Sequence, residues 1–315
     1  MPTVVIRHDL ELAAAIEGER DGLSVITAPD REAVMAQLPA AEMFVVNPSN
    51  WRGEYLEALD SGDWIQATSA GYEAFPLDAF ADRGITFTNA TGNYGPVVAE
   101  HVFGLAFAFS RKLPAFIDRQ RDHRWERSEI ALELSDWKDH RLTIYGLGNI
   151  GEAIAKRGQA FEMSVAGVKK TPTDYDGCVP AERVVGPADM ESLLPKTDLL
   201  VVTAPLTEET RHAIDASVFE ALPAAAIVIN VARGPVVDTA ALLDALAAEE
   251  IAGAGLDVFE TEPLPEDSPL WDREDVLLTP HVGGRSDTFP DRFGALFIEN
   301  YDRRQRGETL KNRIV

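Results

Sequence analysis

The chain has 315 residues, 45% of them hydrophobic and 26% charged, which is enough for two soluble domains with their own cores. Aspartate and glutamate number 52 against 29 lysines and arginines, and the formal charge of −23 repels nucleic acid and anionic membranes, so neither is an expected partner. A single cysteine, Cys178, excludes an intramolecular disulfide framework and cysteine-based metal clusters, and no metal site is expected.

Residues 1 to about 96 alternate short apolar runs (3–6, 23–26, 43–46, 64–68, 85–88) with amphipathic stretches (10–19, 31–38, 54–59, 77–83). Such alternation predicts a parallel, doubly wound α/β sheet. The first run starts near residue 3 with no signal peptide ahead of it, and no apolar run approaches the roughly 20 residues that span a bilayer, so a cytoplasmic location is expected. This part lacks a GxGxxG turn. Ser69, Ala70 and Gly71 follow the strand that ends at Thr68, where an open α/β sheet places ligands. They read either as small residues that expose backbone N–H groups to an anion or as an ordinary turn. The glycine-rich loop 89–96 is a candidate hinge, and it leads into a strongly apolar helix over 97–110.

The segment 111–141 is rich in Arg, Asp and Trp and has no clean periodicity, so it reads as an arm against a partner subunit or as a surface loop. An apolar run over 142–145 then meets Gly146, Gly148 and Gly151, a helical period through 150–161 and a second run over 163–168. In a strand–turn–helix unit the first glycine allows the turn, the second admits a pyrophosphate and the third lets helix and strand pack. The first-turn amides and the helix dipole favour that anion. About 20 residues past the first glycine, a site selective for NAD usually carries an acid that binds the ribose. Here that neighbourhood reads Lys169, Lys170, Thr171, with no carboxylate among them. The two cations suit a 2′-phosphate, which predicts NADP(H) preference with NAD(H) possible; the alternative is a solvated turn.

Further strands are predicted over 198–203, 226–231, 253–258 and 276–279, with a helix over 239–249. From about 284 the chain is expected to return to the first domain through a helix over 291–303. Arg233, Asp257, Glu262 and His281 all lie just beyond strand ends, on the edge that carries a nucleotide. Reduction of a 2-keto acid needs a cation for the carboxylate and ketone, a proton donor, and a carboxylate that orients the donor. Arg233, His281 and Glu262 supply one of each.

Together GLGNIG (146–151), TAPLTEETRH (203–212), INVARGPVVD (229–238), GLDVFETEPLP (255–265), TPHVGG (279–284) and NATGNYGPVVAEHVFGLAF (89–107) resemble the D-2-hydroxyacid dehydrogenase family. The resemblance spans nearly the whole chain. It implies two doubly wound parallel-sheet domains of Rossmann or flavodoxin type with an active-site cleft between them. Residues 1–96 with 285–315 would form the substrate domain, and 97–284 the dinucleotide-binding domain. A homodimer through the nucleotide domain and the 111–141 arm is implied as well. The resemblance makes Arg233, Glu262 and His281 catalytic. It puts Ser69, Ala70 and Gly71, with Arg233 and His281, on the substrate. Its expected cofactor contacts are Gly146, Gly148, Asn149, Ile150, Gly151, Lys169, Lys170, Thr171, Ala204, Pro205, Thr210, Val231, Ala232, Asp257, His281 and Gly283. Tyr72, Asn47, Asn93 and Tyr94 are candidates for the side-chain pocket.

The implied reaction is hydride transfer from NAD(P)H to C2 of a 2-keto acid, giving the D alcohol. Glyoxylate/hydroxypyruvate reductase, phosphoglycerate dehydrogenase and formate dehydrogenase are the enzymatic alternatives, and a nucleotide-sensing co-repressor is the non-enzymatic one. The absence of a regulatory extension after Val315 speaks against the longer phosphoglycerate dehydrogenases. Lys169 stands where the family usually has an acid, as in its NADP-using members, and Glu162 and Gly158 are departures of a structural kind. Only 7 of the 29 cations are lysines. Acidic, lysine-poor composition resembles that of salt-accumulating halophiles, in which a Debye length of about 3 Å at 1 M salt screens self-repulsion; the alternative is an ordinary acidic cytosolic enzyme.

Overall fold

A computed structural model describes residues 1–7, 9–125 and 134–315. It divides into two compact units, Met1–Tyr94 with Ser286–Val315, and Gly95–Arg285. The part of the 111–141 arm over 126–133 lies outside the described residues.

The first unit is a parallel five-stranded sheet of β1 (Thr3–Arg7), β2 (Ser24–Ala28), β3 (Met43–Val46), β4 (Trp64–Ala67) and β5 (Thr86–Thr88), in the order β2-β1-β3-β4-β5. Helices α1 (Leu10–Glu19), α2 (Arg31–Gln37) and α3 (Leu77–Arg83) connect the strands. Asp9 and Asp30 cap α1 and α2 by accepting from the amides of Leu12 and Ala33. β3 and β4 are buried at every residue, as expected of parallel strands covered on both faces. One face packs Phe44, Tyr55, Phe80 and Phe87; the other packs Val4, Leu12, Trp64 and Phe297. The predicted helix over 54–59 is instead a 3-10 segment, Gly53–Ala58. Helix α2 stops at Gln37 because Pro39 has no N–H with which to continue the helical ladder, and a 3-10 turn, Leu38–Ala40, follows.

The second unit begins with α4 (Gly95–Ser110) and α5 (Leu113–Arg121). Its seven-stranded parallel sheet comprises β6 (Arg141–Tyr145), β7 (Ser164–Val168), β8 (Val184–Val185), β9 (Leu199–Val202), β10 (Ile227–Asn230), β11 (Gly253–Leu256) and β12 (Val276–Leu278). The order is β12-β11-β10-β9-β6-β7-β8, so the direction of winding reverses between β6 and β9. Helices α6 (Asn149–Ala160), α7 (Ala216–Ala221) and α8 (Thr239–Ala247) complete it. Apolar side chains of β9 and β10 meet Phe219, Leu242 and Leu246 in its core. Helix α9 (Phe289–Gln305) belongs to the first unit and buries Phe293 and Phe297 there. No helix among the described residues is long and apolar enough to cross a membrane.

Candidate functional site

The glycine turn lies at the β6/β9 reversal. Gly146 has φ 114°, and a side chain there would meet the backbone nitrogen of Ala204 at 2.5 Å. At Gly151 a side chain would run into the Gly146 carbonyl, so the third glycine seats α6 against its strand. At Gly148 it would meet nothing within 4 Å. Packing therefore does not require glycine at 148, and the bare backbone there faces open space at the start of α6, where a pyrophosphate fits. The adjoining cavity, of about 530 Å³, is lined by Gly146–Gly148, Val168–Thr171, Thr203–Pro205 and Thr210, among others. Thr210 shapes the facing loop: its hydroxyl donates to the Pro205 carbonyl and accepts from the Thr207 amide.

The two lysines on the rim do different things. Lys169 Nζ donates to the Leu147 carbonyl at 2.9 Å and lies 5.9 Å from the centre of the Tyr175 ring. Lys170 Nζ pairs at 2.8 Å with Glu209, which also lines the cavity. No carboxylate neighbours the lysines in sequence, yet the fold delivers one from 39 positions away. Behind the rim, Glu152 of α6 accepts from the Tyr175 hydroxyl and, at 3.0 Å, from the Cys178 amide. Burial and the Glu152 carboxylate push the Cys178 thiol up to about 11, which fits an unreactive thiol.

At the other end of the sheet, the loops after β10, β11 and β12 carry the remaining groups. His281 Nδ1 meets Glu262 Oε2 at 2.8 Å, and the other oxygen of Glu262 accepts from the Phe259 amide at 3.0 Å. The carboxylate thus fixes the imidazole and leaves Nε2 as the atom available to a substrate. His281 is in the left-handed region, φ 53°, and its amide donates to the Asp257 carbonyl at 2.8 Å. Asp257 is buried, and its side chain organises the His281 loop. One oxygen accepts from Thr279 Oγ1 at 2.6 Å and the Val282 amide at 2.9 Å; the other accepts from the Gly283 amide at 2.8 Å. His101 of α4 stands 3.5 Å from the same carboxylate and 2.9 Å from Thr279 Oγ1. Gly283 packs against both: a side chain there would meet Asp257 at 2.8 Å and His101 at 3.0 Å.

Arg233 is half-buried, and its guanidinium donates to the Ala232 carbonyl at 2.8 Å. Its turn, which includes buried Val231 and Ala232, is held by Asn230, which donates to the Arg233 carbonyl at 3.1 Å and accepts from the Ala232 amide at 3.0 Å. The next residue, Gly234, lies so flat against the backbone of Phe259 and Glu260 that no side chain fits. This seam joins the arginine turn to the loop that carries Glu262. A hollow of about 620 Å³ beside Glu262 and His281 is walled by Phe259, Pro263, Leu264, Trp271, Leu278 and Pro280.

In the first unit, the 68–71 loop follows β4. Asn89 Nδ2 donates to the Ala70 carbonyl at 2.7 Å, Ser69 Oγ to the Gly71 carbonyl at 2.5 Å, and Asn47 Nδ2 to Thr68 Oγ1 at 3.1 Å. The Tyr94 hydroxyl donates to the Thr68 carbonyl, and burial pushes that phenol up to about 12, so it stays a donor. These bonds take up the carbonyls of the loop, and the Ala70 and Gly71 N–H groups are in no hydrogen bond among the described residues. Among the described residues, no group of three or more His, Cys, Asp and Glu is placed to hold a metal ion.

Sequence reasoning passed over Asn230, His101, Thr279, Glu209 and Tyr175. Asn230 alone carried a signal, as a polar residue closing an otherwise apolar strand.

A family model described as D-isomer specific 2-hydroxyacid dehydrogenase, NAD binding domain, matches residues 103–283. A D-3-phosphoglycerate dehydrogenase of Archaeoglobus fulgidus is 31% identical over 298 residues, covering 93% of this chain and 55% of that protein. The chain therefore spans little more than half the length of that relative. A glyoxylate/hydroxypyruvate reductase B of Yersinia pestis is 31% identical over 297 residues, covering 93% of this chain and 88% of that one. The crystal structure of a D-isomer specific 2-hydroxyacid dehydrogenase family protein from Aeromonas salmonicida superposes with a TM-score of 0.84 at 30% identity, covering 100% of this chain and 99% of that one.

Proposed function

The chain belongs to the D-isomer specific 2-hydroxyacid dehydrogenase family, and from that premise we propose that it reduces a 2-keto acid to the D-2-hydroxy acid, preferring NADP(H) and accepting NAD(H). The observation that carries the reading is the His281–Glu262 pair, at 2.8 Å, on the sheet edge that also bears Arg233 and the glycine turn. When bound, the reduced nicotinamide supplies a hydride for C2. Arg233 holds the carboxylate and draws charge from the ketone oxygen. His281 donates the proton from Nε2 to that oxygen, while Glu262 keeps the ring in place. The Ala70 and Gly71 amides of the Ser69–Gly71 loop hold the carboxylate as well. The turn at Gly146–Gly151 with Asn149 and Ile150, the rim at Lys169–Thr171, and Ala204, Pro205, Thr210, Val231, Ala232, Asp257 and Gly283 receive the cofactor.

The test is the initial rate of NADPH and NADH oxidation over glyoxylate, pyruvate, hydroxypyruvate, branched-chain and aromatic 2-keto acids in molar KCl. Glyoxylate and hydroxypyruvate, with 3-phosphoglycerate for the reverse direction, head the panel because relatives are named for them. Turnover that favours NADPH is expected. Nucleotide binding without turnover on any substrate would replace this reading with a nucleotide-sensing protein.

A homodimer is part of the proposal, supported by an apolar stripe on α5. Leu113 and Ile117, four residues apart, are 45% and 48% exposed, and Trp125 beyond them is 97% exposed. Light scattering is expected to give twice the mass of the chain, and a monomer would overturn it. We place the enzyme in the cytoplasm of a salt-accumulating cell, on the strength of its charge and lysine-poor composition. Its melting temperature should rise with KCl; a flat or falling curve would remove the halophilic reading.

A further inference from the structure

We propose that Tyr175 is a positioning residue for nucleotide selection: its ring, moored to α6 through Glu152, holds the Lys169 ammonium where a 2′-phosphate is received. The inference deepens the NADP(H) reading and rests on it.

Lys169 leaves β7 with its amide donated to the Val185 carbonyl at 3.0 Å, so its backbone is part of the sheet edge. Its ammonium is then held from two sides. The Leu147 carbonyl, inside the glycine turn, accepts from it at 2.9 Å, and the face of Tyr175 lies 5.9 Å away. A lysine side chain carries about 2 kcal/mol of rotamer entropy, and contacts made before the anion arrives remove part of that cost from binding. Lys170 is not held in this way. Its pair with Glu209 is exposed at both ends, and such pairs contribute little.

The ring is itself fixed by a small set of bonds. The Tyr175 hydroxyl donates to Glu152 in the first turn of α6 and accepts from the Val179 amide at 3.0 Å. The second Glu152 oxygen takes the Cys178 amide, and Gln159 donates to the Cys178 carbonyl at 2.8 Å. These bonds fasten the loop after Thr171 to the helix whose N-terminus faces the cofactor cavity. Gly177 lies against the Glu152–Tyr175 contact, and any side chain there would collide with both groups.

The experiment measures dissociation constants for 2′,5′-ADP and 5′-AMP by calorimetry on the full chain, and KM for NADPH and NADH, with melting temperature as a check on folding. In the wild type, 2′,5′-ADP is expected to bind more tightly. Tyr175→Leu should weaken 2′,5′-ADP by about 2- to 30-fold, the range of a cation–π contact, and leave 5′-AMP and the NADH KM unchanged. Tyr175→Phe, which keeps the ring, should recover most of the loss. Gly177→Ala, which displaces the ring without deleting it, should act in the same sense as Tyr175→Leu and serves if that variant does not fold. Equal weakening of both ligands, or unchanged 2′,5′-ADP affinity in Tyr175→Leu and Gly177→Ala, overturns the role of Tyr175. The wild type and Lys169→Ala together separate the two levels. If the wild type shows no preference for 2′,5′-ADP, the NADP(H) reading itself fails; if the wild type shows it and Lys169→Ala leaves it intact, or Lys169→Ala abolishes it while Tyr175→Leu does not, only the positioning inference fails.

Discussion

At the β10–β12 edge, Arg233, Glu262 and His281 are steadied from behind by polar groups that solvent does not reach: Asn230 is 1% exposed and Asp257 3%. On the β7 rim the polar groups stand in water, with Lys170 and Glu209 side chains 78% and 70% exposed. Both regions lie beyond the same strand ends of one sheet. A buried acceptor that satisfies several donors at once fixes the loop that carries His281, because leaving any of them unpaired is costly. An exposed ion pair contributes little, so exchanging it leaves the buried support of the other region untouched.

The largest effect should come from the proposed proton donor. His281→Ala is expected to lower turnover by about 10² or more while the chain stays folded; steady-state rates beside a melting curve check it. Near-wild-type turnover would remove His281 as the proton donor. Next comes Asp257→Ala, which strips an acceptor from Thr279, Val282 and Gly283. Denaturant unfolding should show a loss of about 3 kcal/mol or more, together with lower turnover. A loss confined to turnover would mean that Asp257 does not hold the loop.

On the rim, Lys169→Glu should reduce the NADPH/NADH ratio of kcat/KM by about tenfold or more, equivalent to about 1.4 kcal/mol, while Lys170→Gln changes it by no more than about twofold. If Lys170→Gln had the larger effect, the exposed pair and not the held lysine would be the selector. The smallest effect concerns Glu152. Burial alone would raise its carboxyl, but hydrogen bonds from Tyr175 and Cys178 outweigh that and hold it below the usual range. A depressed carboxylate adds stability that is fully present above the pH at which an unfolded glutamate ionises, and loses it as pH falls through the lower folded value. Glu152→Gln should therefore flatten the acid limb of the stability–pH curve, read by denaturant unfolding from neutral to acid pH; an unchanged acid limb would count against the depressed carboxylate.

Much of this was legible in the sequence. The parallel sheets follow from strand–helix alternation, and Arg233, Glu262 and His281 lie just beyond strand ends, where the letters put them. What escaped did so for physical reasons. Helix α5 was missed because it buries no side chain, so its apolar residues mark no core-facing period. The predicted helix over 54–59 tightens into a 3-10 segment, a distinction that short apolar spacing does not carry. Glu209 reaches Lys170 only through the fold, and Tyr175 sits in a loop whose position depends on a bond to α6. The supporting groups Asn230, His101 and Thr279 act through burial, which a letter string does not display.

The flat contact of Gly234 on Phe259 and Glu260 bears on how this chain can diverge. A seam made of two backbones offers no side chain for selection to work on, and a substitution of its one glycine forces the two loops apart. The arginine turn and the glutamate loop are thus inherited as a block. New substrate preferences must be written elsewhere, in side chains whose replacement leaves that seam closed.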